Sequence, residues 1–307
     1  MKRVVSVSLN TSKRDKSTEV EILGEQFEIK RIGTDGDLQR YAQLLRELDG
    51  NVDAIGLGGI DMYLYAGGRR YVIQDARRLA ANARRTPVVD GSGLKNTLER
   101  KTIERLQADG VVDFRRAKTL IVASVDRFGM AEALAKMGGK VIYGDVMFAL
   151  GLPIPLRSLK SIRIAAALLL PLLCRLPFKW IYPTGERSDE IVPKYERYYR
   201  WADVIAGDFL MIRRHLPIPE SGALRGKTII TNTTTEDDVR ELRVRGVEML
   251  ITTTPEYGGR SYGTNVMEGV LVALSGKRPE ELTPADYEEL LAKLEWRPTV
   301  RRLQEKA

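Results

Sequence analysis

The chain has 307 residues, 43% hydrophobic and 29% charged, with 49 Lys+Arg against 41 Asp+Glu and a formal charge of +8. That composition suits one large α/β domain or two ordinary ones and excludes a disordered body. A single cysteine, Cys174, and a single histidine, His215, exclude an intrachain disulfide and argue against structural zinc or a Cys/His nucleophilic pair, leaving only a carboxylate-held cation open.

The apolar part of the amino terminus is too short for a signal peptide and reads as a first strand, so a cytoplasmic location is expected. Strands are predicted over residues 4–8, 20–22 and 27–32 from their β-branched content. A helix over 37–48 aligns Leu38, Tyr41, Leu44, Leu45 and Leu48 on one face. A buried strand over 52–57 runs into Gly58-Gly-Ile-Asp61, and a helix with an arginine-rich outer face follows around 74–84. A strand over 87–89 opens into Asp90-Gly-Ser-Gly-Leu-Lys95 and a helix beginning near Asn96.

From Thr119 an apolar strand, a turn, a helix and a second strand lead to Asp145, a spacing used by nucleotide-binding units. The apolar run 164–174 is interrupted by Pro171 and is too short to span a bilayer. Arg157, Lys160 and Arg163 precede it, and Arg175 and Lys179 follow. It reads either as a buried helix or lid, or as a peripheral membrane or lipophilic contact. Later strands fall at 204–206, 228–231 and 249–251, and Thr233-Thr-Thr-Glu-Asp-Asp opens a helix. A carboxyl-terminal helix is expected to pack back on the body.

Strand, helix, strand in this order predicts an α/β fold of two Rossmann-like units, with mostly parallel sheets and helices on both faces. The expected division is a substrate-type domain over 1–115, a nucleotide-binding domain over 116–280 and the terminal helix over 281–307.

Ligands of open α/β sheets gather outside the carboxyl ends of the strands. There Ser124, Val125, Asp126, Arg127, Phe128 and Gly129 stand where a glycine-rich phosphate loop would be. They read as a dinucleotide loop with Arg127 as an added cation, or as an ordinary strand-to-helix turn; the first two glycines of the fingerprint are absent. Asp145 would accept hydrogen bonds from an adenine ribose, which favours NAD, whereas Arg127 favours NADP. Thr231, Asn232 and Thr233 could hold a nicotinamide ribose or a substrate, or cap a helix. The segment Tyr262-Gly-Thr-Asn265, after Gly258-Gly259, reads as a covering loop or the start of a helix. Lys95, with Asp61 or Asp90, is the candidate general acid/base, with Asp208 as an alternative partner.

The chain resembles a bacterial family labelled quinate/shikimate 5-dehydrogenase-like. The resemblance is carried by Gly33-Thr-Asp-Gly-Asp37, Ile55-Gly-Leu-Gly-Gly-Ile-Asp61, Val125-Asp-Arg-Phe-Gly-Met-Ala-Glu-Ala133, Leu176-Pro-Phe178 with Tyr182-Pro-Thr-Gly185, and Ile230-Thr-Asn-Thr-Thr-Thr235. It implies an NAD- or NADP-dependent oxidoreductase acting on a hydroxyl or carbonyl of a small polar or carbocyclic acid. The chain lacks the N-V-T-x-P-x-K and N-T-D-x-x-G segments of shikimate dehydrogenases, so Lys95 is a positional analogue of their lysine. The residues also leave open an S-adenosylmethionine-dependent methyltransferase and a non-catalytic nucleotide- or metabolite-binding protein. A small-molecule substrate and a homo-oligomer are expected; no nucleic-acid recognition motif accompanies the positive charge.

Overall fold

The computed structural model describes residues 1–177, 190–257 and 260–304. Lys179 and the motif residues Phe178, Tyr182, Pro183, Thr184, Gly185, Gly258 and Gly259 lie outside the described residues. In chain order the elements are β1 (Lys2–Ser8), β2 (Lys16–Ile22), β3 (Glu25–Gly33), α1 (Leu38–Leu48), β4 (Ala54–Gly58), β5 (Tyr63–Ala66), β6 (Arg69–Val72), α2 (Gln74–Ala80), β7 (Val88–Val89) and α3 (Ser92–Ala108). There follow β8 (Lys118–Ile121), α4 (Phe128–Met137), β9 (Lys140–Tyr143), α5 (Asp145–Phe148), α6 (Leu159–Leu173), α7 (Glu196–Trp201), β10 (Val204–Ala206) and α8 (Phe209–Arg214). The last are β11 (Thr228–Thr231), α9 (Glu236–Val244), β12 (Met249–Thr252), β13 (Glu256–Tyr257), β14 (Arg260–Ser261), α10 (Thr264–Ser275), α11 (Pro284–Lys293) and β15 (Thr299–Arg302).

The fold is α/β with two Rossmann-like units. Unit 1 gathers Met1–Thr97, Leu169–Ser188 and Glu256–Trp296; unit 2 gathers Leu98–Leu168, Asp189–Pro255 and Arg297–Ala307. Neither unit is therefore a continuous stretch of chain.

Unit 1 is built on a sheet of order β2-β3-β1-β4-β7, parallel except for β2. Its register aligns Ser8 with Gly33 on one side and Gly58 on the other, so three carboxyl ends finish level. Helix α10 packs across β1, β4 and β7, burying Val266 and Val270 with Val4, Phe27, Ile29 and Ala54. Each of the valine, isoleucine and phenylalanine side chains removed from water contributes about 1.5–3 kcal/mol. The helix reaches the sheet because Gly56 and Gly269 lack side chains: a Cβ on Gly56 would come within 2.9 Å of Asn265 Nδ2, and one on Gly269 within 2.9 Å of Val4. Asn265 uses that closeness to donate to Ser6 Oγ at 2.7 Å. Gly56→Ala is accordingly expected to lower unfolding stability by about 1–3 kcal/mol, the cost of overpacking a filled core. A urea midpoint equal to that of the wild type would contradict this contact. The hairpin β5–β6 was not predicted, although Gly67 and Gly68, both at positive φ, supply the turn such hairpins favour.

Unit 2 has the order β15-β12-β11-β10-β8-β9, parallel from β12 to β9. The edge strand β15 runs antiparallel to β12, pairing Thr252 with Thr299, so part of the helix expected over 281–307 is a strand and the helix itself is confined to Pro284–Lys293. Leu120, Ile205, Ile229 and Leu250, one from each central strand, form the core with Leu242 and Phe209. Thr235 and Asp238 cap α9 reciprocally, Thr235 Oγ1 accepting from Asp238 N–H and Asp238 Oδ2 from Thr235 N–H at 2.8 Å.

Helix α6 contains the apolar run up to Leu173 and carries Pro171 in its last turn, so the distortion from the missing N–H falls near the helix end. Ile162, Ala166 and Leu170 are buried, whereas Ile164 and Leu168 are exposed, so the helix is only half covered. Among the described residues no helix is long and apolar enough to cross a membrane.

Candidate functional site

Strand order locates the crevice of each unit. In unit 1 the chain leaves β1 for β3 on one side and then β4 on the other, which puts the switch point between the ends of β1 and β4. Gly59, at φ +72, follows β4, and its missing Cβ would lie 3.0 Å from Asn10 Oδ1, just beyond β1. Two residues on, Asp61 Oδ1 receives Lys95 Nζ at 3.0 Å. Lys95 reaches it from the first turn of α3, and the side chains are 8% and 16% exposed. The predicted pairing of Lys95 with Asp61 is thus present.

Asp90 has a different role. Its Oδ1 accepts from Ser92 N–H and Oγ–H, starting α3 four residues earlier than expected, and its Oδ2 accepts from Met62 and Tyr63 N–H. Behind it lies Glu268 of α10, which sequence reasoning missed. Glu268 accepts from Gly91 N–H at 2.6 Å and from the Tyr287 hydroxyl at 2.8 Å. Burial, helped by the charge of Asp90, pushes its carboxyl up to about 8. The signal was a lone carboxylate in the apolar run Val266-Met-Glu-Gly-Val-Leu-Val-Ala-Leu274. Tyr262 and Val266 belong to the core of unit 1, and the helix of which Val266 is part begins at Thr264.

In unit 2 the switch point lies between β8 and β10, at Val122 to Ser124 and Gly207 to Asp208. The predicted phosphate loop is there, but its own side chains close it. Asp145 accepts from the Ser124 hydroxyl and, at 2.8 Å, from Val125 N–H. Its carboxylate is therefore turned into the loop and is not presented to a ribose; burial raises its pKa. Phe128 and Gly129 are buried in the first turn of α4.

Arg127 is 2% exposed and surrounded by carboxylates: Glu99, Asp126 at 3.3 Å and Asp208 at 2.9 Å. Burial opposes its charge, but these three acids outweigh it and hold the guanidinium above its ordinary range. A cation so enclosed is not offered to a diphosphate. Asp208 is fully used too, with Oδ1 capping α8 through Leu210 and Met211 N–H and Oδ2 accepting from Arg127 and Asn232. Asn232 Oδ1 accepts from Phe209 N–H at 3.2 Å, while buried Thr231 donates to Gly207 O at 2.8 Å. Thr233 is half-buried in the turn before α9. Arg127, Asp208, Asn232 and Thr231 thus form one interlocked network at the ends of β10 and β11.

Comparison with known proteins places these units in a family. Residues 93–303 match the family described as Domain of unknown function (DUF8754), and the chain belongs to it. Residues 3–90 match a second, Domain of unknown function (DUF8753). No curated protein matches the chain.

Among solved structures, an ABC transporter solute-binding protein from Burkholderia multivorans aligns at 13% identity and TM-score 0.39, covering 92% of this chain and 96% of its own. A glutamate dehydrogenase from Thermus thermophilus aligns at 12% identity and TM-score 0.45, covering 96% and 74%. A solute-binding protein from Burkholderia graminis, in complex with D-arabinose, aligns at 11% identity and TM-score 0.37, covering 98% and 95%. Likeness this distant carries no functional argument.

These findings correct the quinate/shikimate dehydrogenase reading. The families that match, over residues 93–303 and 3–90, are described as domains of unknown function and not as quinate/shikimate dehydrogenases. The NAD(P)-dependent oxidoreductase assignment that rested on it falls as well. The physical reason lies in the loop, where Asp145 and Arg127, the two residues expected to meet the nucleotide, are engaged by Ser124, Val125 and three carboxylates.

Proposed function

We propose that the protein binds a small hydroxylated metabolite without transforming it, and that unit 1 supplies the contact groups. The observation that carries this reading is the Lys95–Asp61 pair at the carboxyl edge of the sheet. An ammonium beside a carboxylate offers a hydroxyl both a donor and an acceptor, and charge-assisted bonds of this kind are the strong ones. Asn10, beside Gly59 at the same switch point, adds an amide. The neighbouring Asp90 is committed to the chain's own backbone, which favours holding a ligand over moving its protons.

Calorimetric titration of the whole chain with pentoses, hexoses and inositols tests this. Saturable binding of at least one of them is expected, with Lys95→Met weakening it about tenfold to a hundredfold through loss of a charged hydrogen bond. Absence of binding across the panel, or consumption of the bound compound, would rule the reading out.

A further inference from the structure

The segment leading into and along α6 carries a second surface, wholly within unit 2. Leu150, Leu152 and Ile154 are exposed in the approach to the helix; on the helix itself Ile164 is 51% and Leu168 73% exposed. Ile164 and Leu168 are one turn apart and so share a face. Scattered exposed apolar residues are ordinary, but five in nineteen residues of one segment are not.

The charge of the segment is one-sided. Residues 146–177 contain no Asp or Glu, while Arg157, Lys160 and Arg163 stand between the two apolar groups. Arg163 is paired with Glu132 at 3.0 Å; Arg157 and Lys160 project from exposed positions with no ion pair among the described residues.

From this juxtaposition we infer that the 150–168 face docks on an anionic lipid bilayer, with Ile164 and Leu168 entering the headgroup region and Arg157 and Lys160 meeting lipid phosphates. The geometry suits an interfacial helix: one face is buried at Ile162 and Ala166, and the other carries apolar groups beside basic ones. A bilayer fits better than a second copy of the chain, because a two-fold contact sets the same patch against itself, and residues 146–177 would offer Arg157 and Lys160 no carboxylate there. The positive balance of the whole chain acts in the same direction.

Flotation of the full chain with phosphatidylcholine vesicles, with and without phosphatidylglycerol, is the test. Binding is expected to the anionic vesicles only and to fall with added salt. Arg157→Gln with Lys160→Gln should reduce partitioning on the order of thirtyfold, two basic side chains being removed. Ile164→Ser with Leu168→Ser should abolish most of it while leaving the circular dichroism spectrum unchanged. The inference is overturned by failure to bind anionic vesicles at low salt, by equal binding to neutral ones, or by full binding of the serine variant. It is equally overturned if sedimentation equilibrium shows a dimer that Leu168→Ser dissociates.

Discussion

Arg127→Met should destabilise unit 2 by about 3–5 kcal/mol, the usual cost of removing one partner from a buried ion pair. The guanidinium holds Glu99, whose side chain is fully buried, together with Asp126 and Asp208. Without it a carboxylate remains in a low-dielectric interior or takes up a proton, and the Asp208 cap of α8 loses a charged donor. Pairing the change with Glu99→Leu should recover much of the loss, because the one fully buried carboxylate is then gone, while Asp126 and Asp208 keep partial access to water. Urea unfolding followed by circular dichroism and by Trp201, which packs against the unit 2 core, reads both variants. A phosphate-binding arginine would give the opposite pattern, with stability hardly changed. A single Arg127→Met variant as stable as the wild type would therefore reopen the ligand reading of the loop.

The second large effect is one of pH. The Glu268 carboxyl is raised from 4.5 to about 8 in the folded chain by burial first and the nearby Asp90 charge second. Below the unfolded value both states hold the proton and the group is neutral in its effect. As pH climbs from about 4.5, the unfolded chain releases its proton while the folded chain retains it, so stability falls until the folded group ionises near pH 8. At about 1.4 kcal/mol per pH unit the loss amounts to a few kcal/mol.

Glu268→Gln mimics the protonated form, since the amide can accept from Gly91 N–H and donate to the Tyr287 oxygen. The difference between wild-type and variant stability should therefore change in the variant's favour across this range. Other shifted acids, such as Asp145 upward and Asp49 downward, are common to both proteins and cancel in that difference. Parallel stability curves would show that folding does not raise the Glu268 carboxyl.

Local grammar made the sheets legible. Runs such as Val4-Val-Ser-Val-Ser8 and Thr228-Ile-Ile-Thr231 are strands wherever they fall, and Thr235 before Glu236-Asp-Asp238 announces a helix start. The pairing of Lys95 with Asp61 was also readable, because both lie just past predicted strand ends. What one sequence withheld was decided by contacts between distant residues. Asp145 has the spacing of a ribose acceptor, yet a hydroxyl and an N–H of the preceding loop each engage one of its oxygens. Arg127 looked available because Glu99 is 28 residues away in the chain. Glu268 is 177 residues from Gly91, beyond the reach of any periodicity.

That long reach also sets the order in which unit 1 can be completed during synthesis. Strands β1, β3, β4 and β7 emerge from the ribosome first, but the helix that covers them, α10, follows nearly all of unit 2. Until then Val4, Ala54 and the glycine-lined groove at Gly56 face water, and the nascent sheet is a candidate for chaperone capture. A chain released before residue 264 should consequently be caught by quality control, although every strand of the first sheet has already been made.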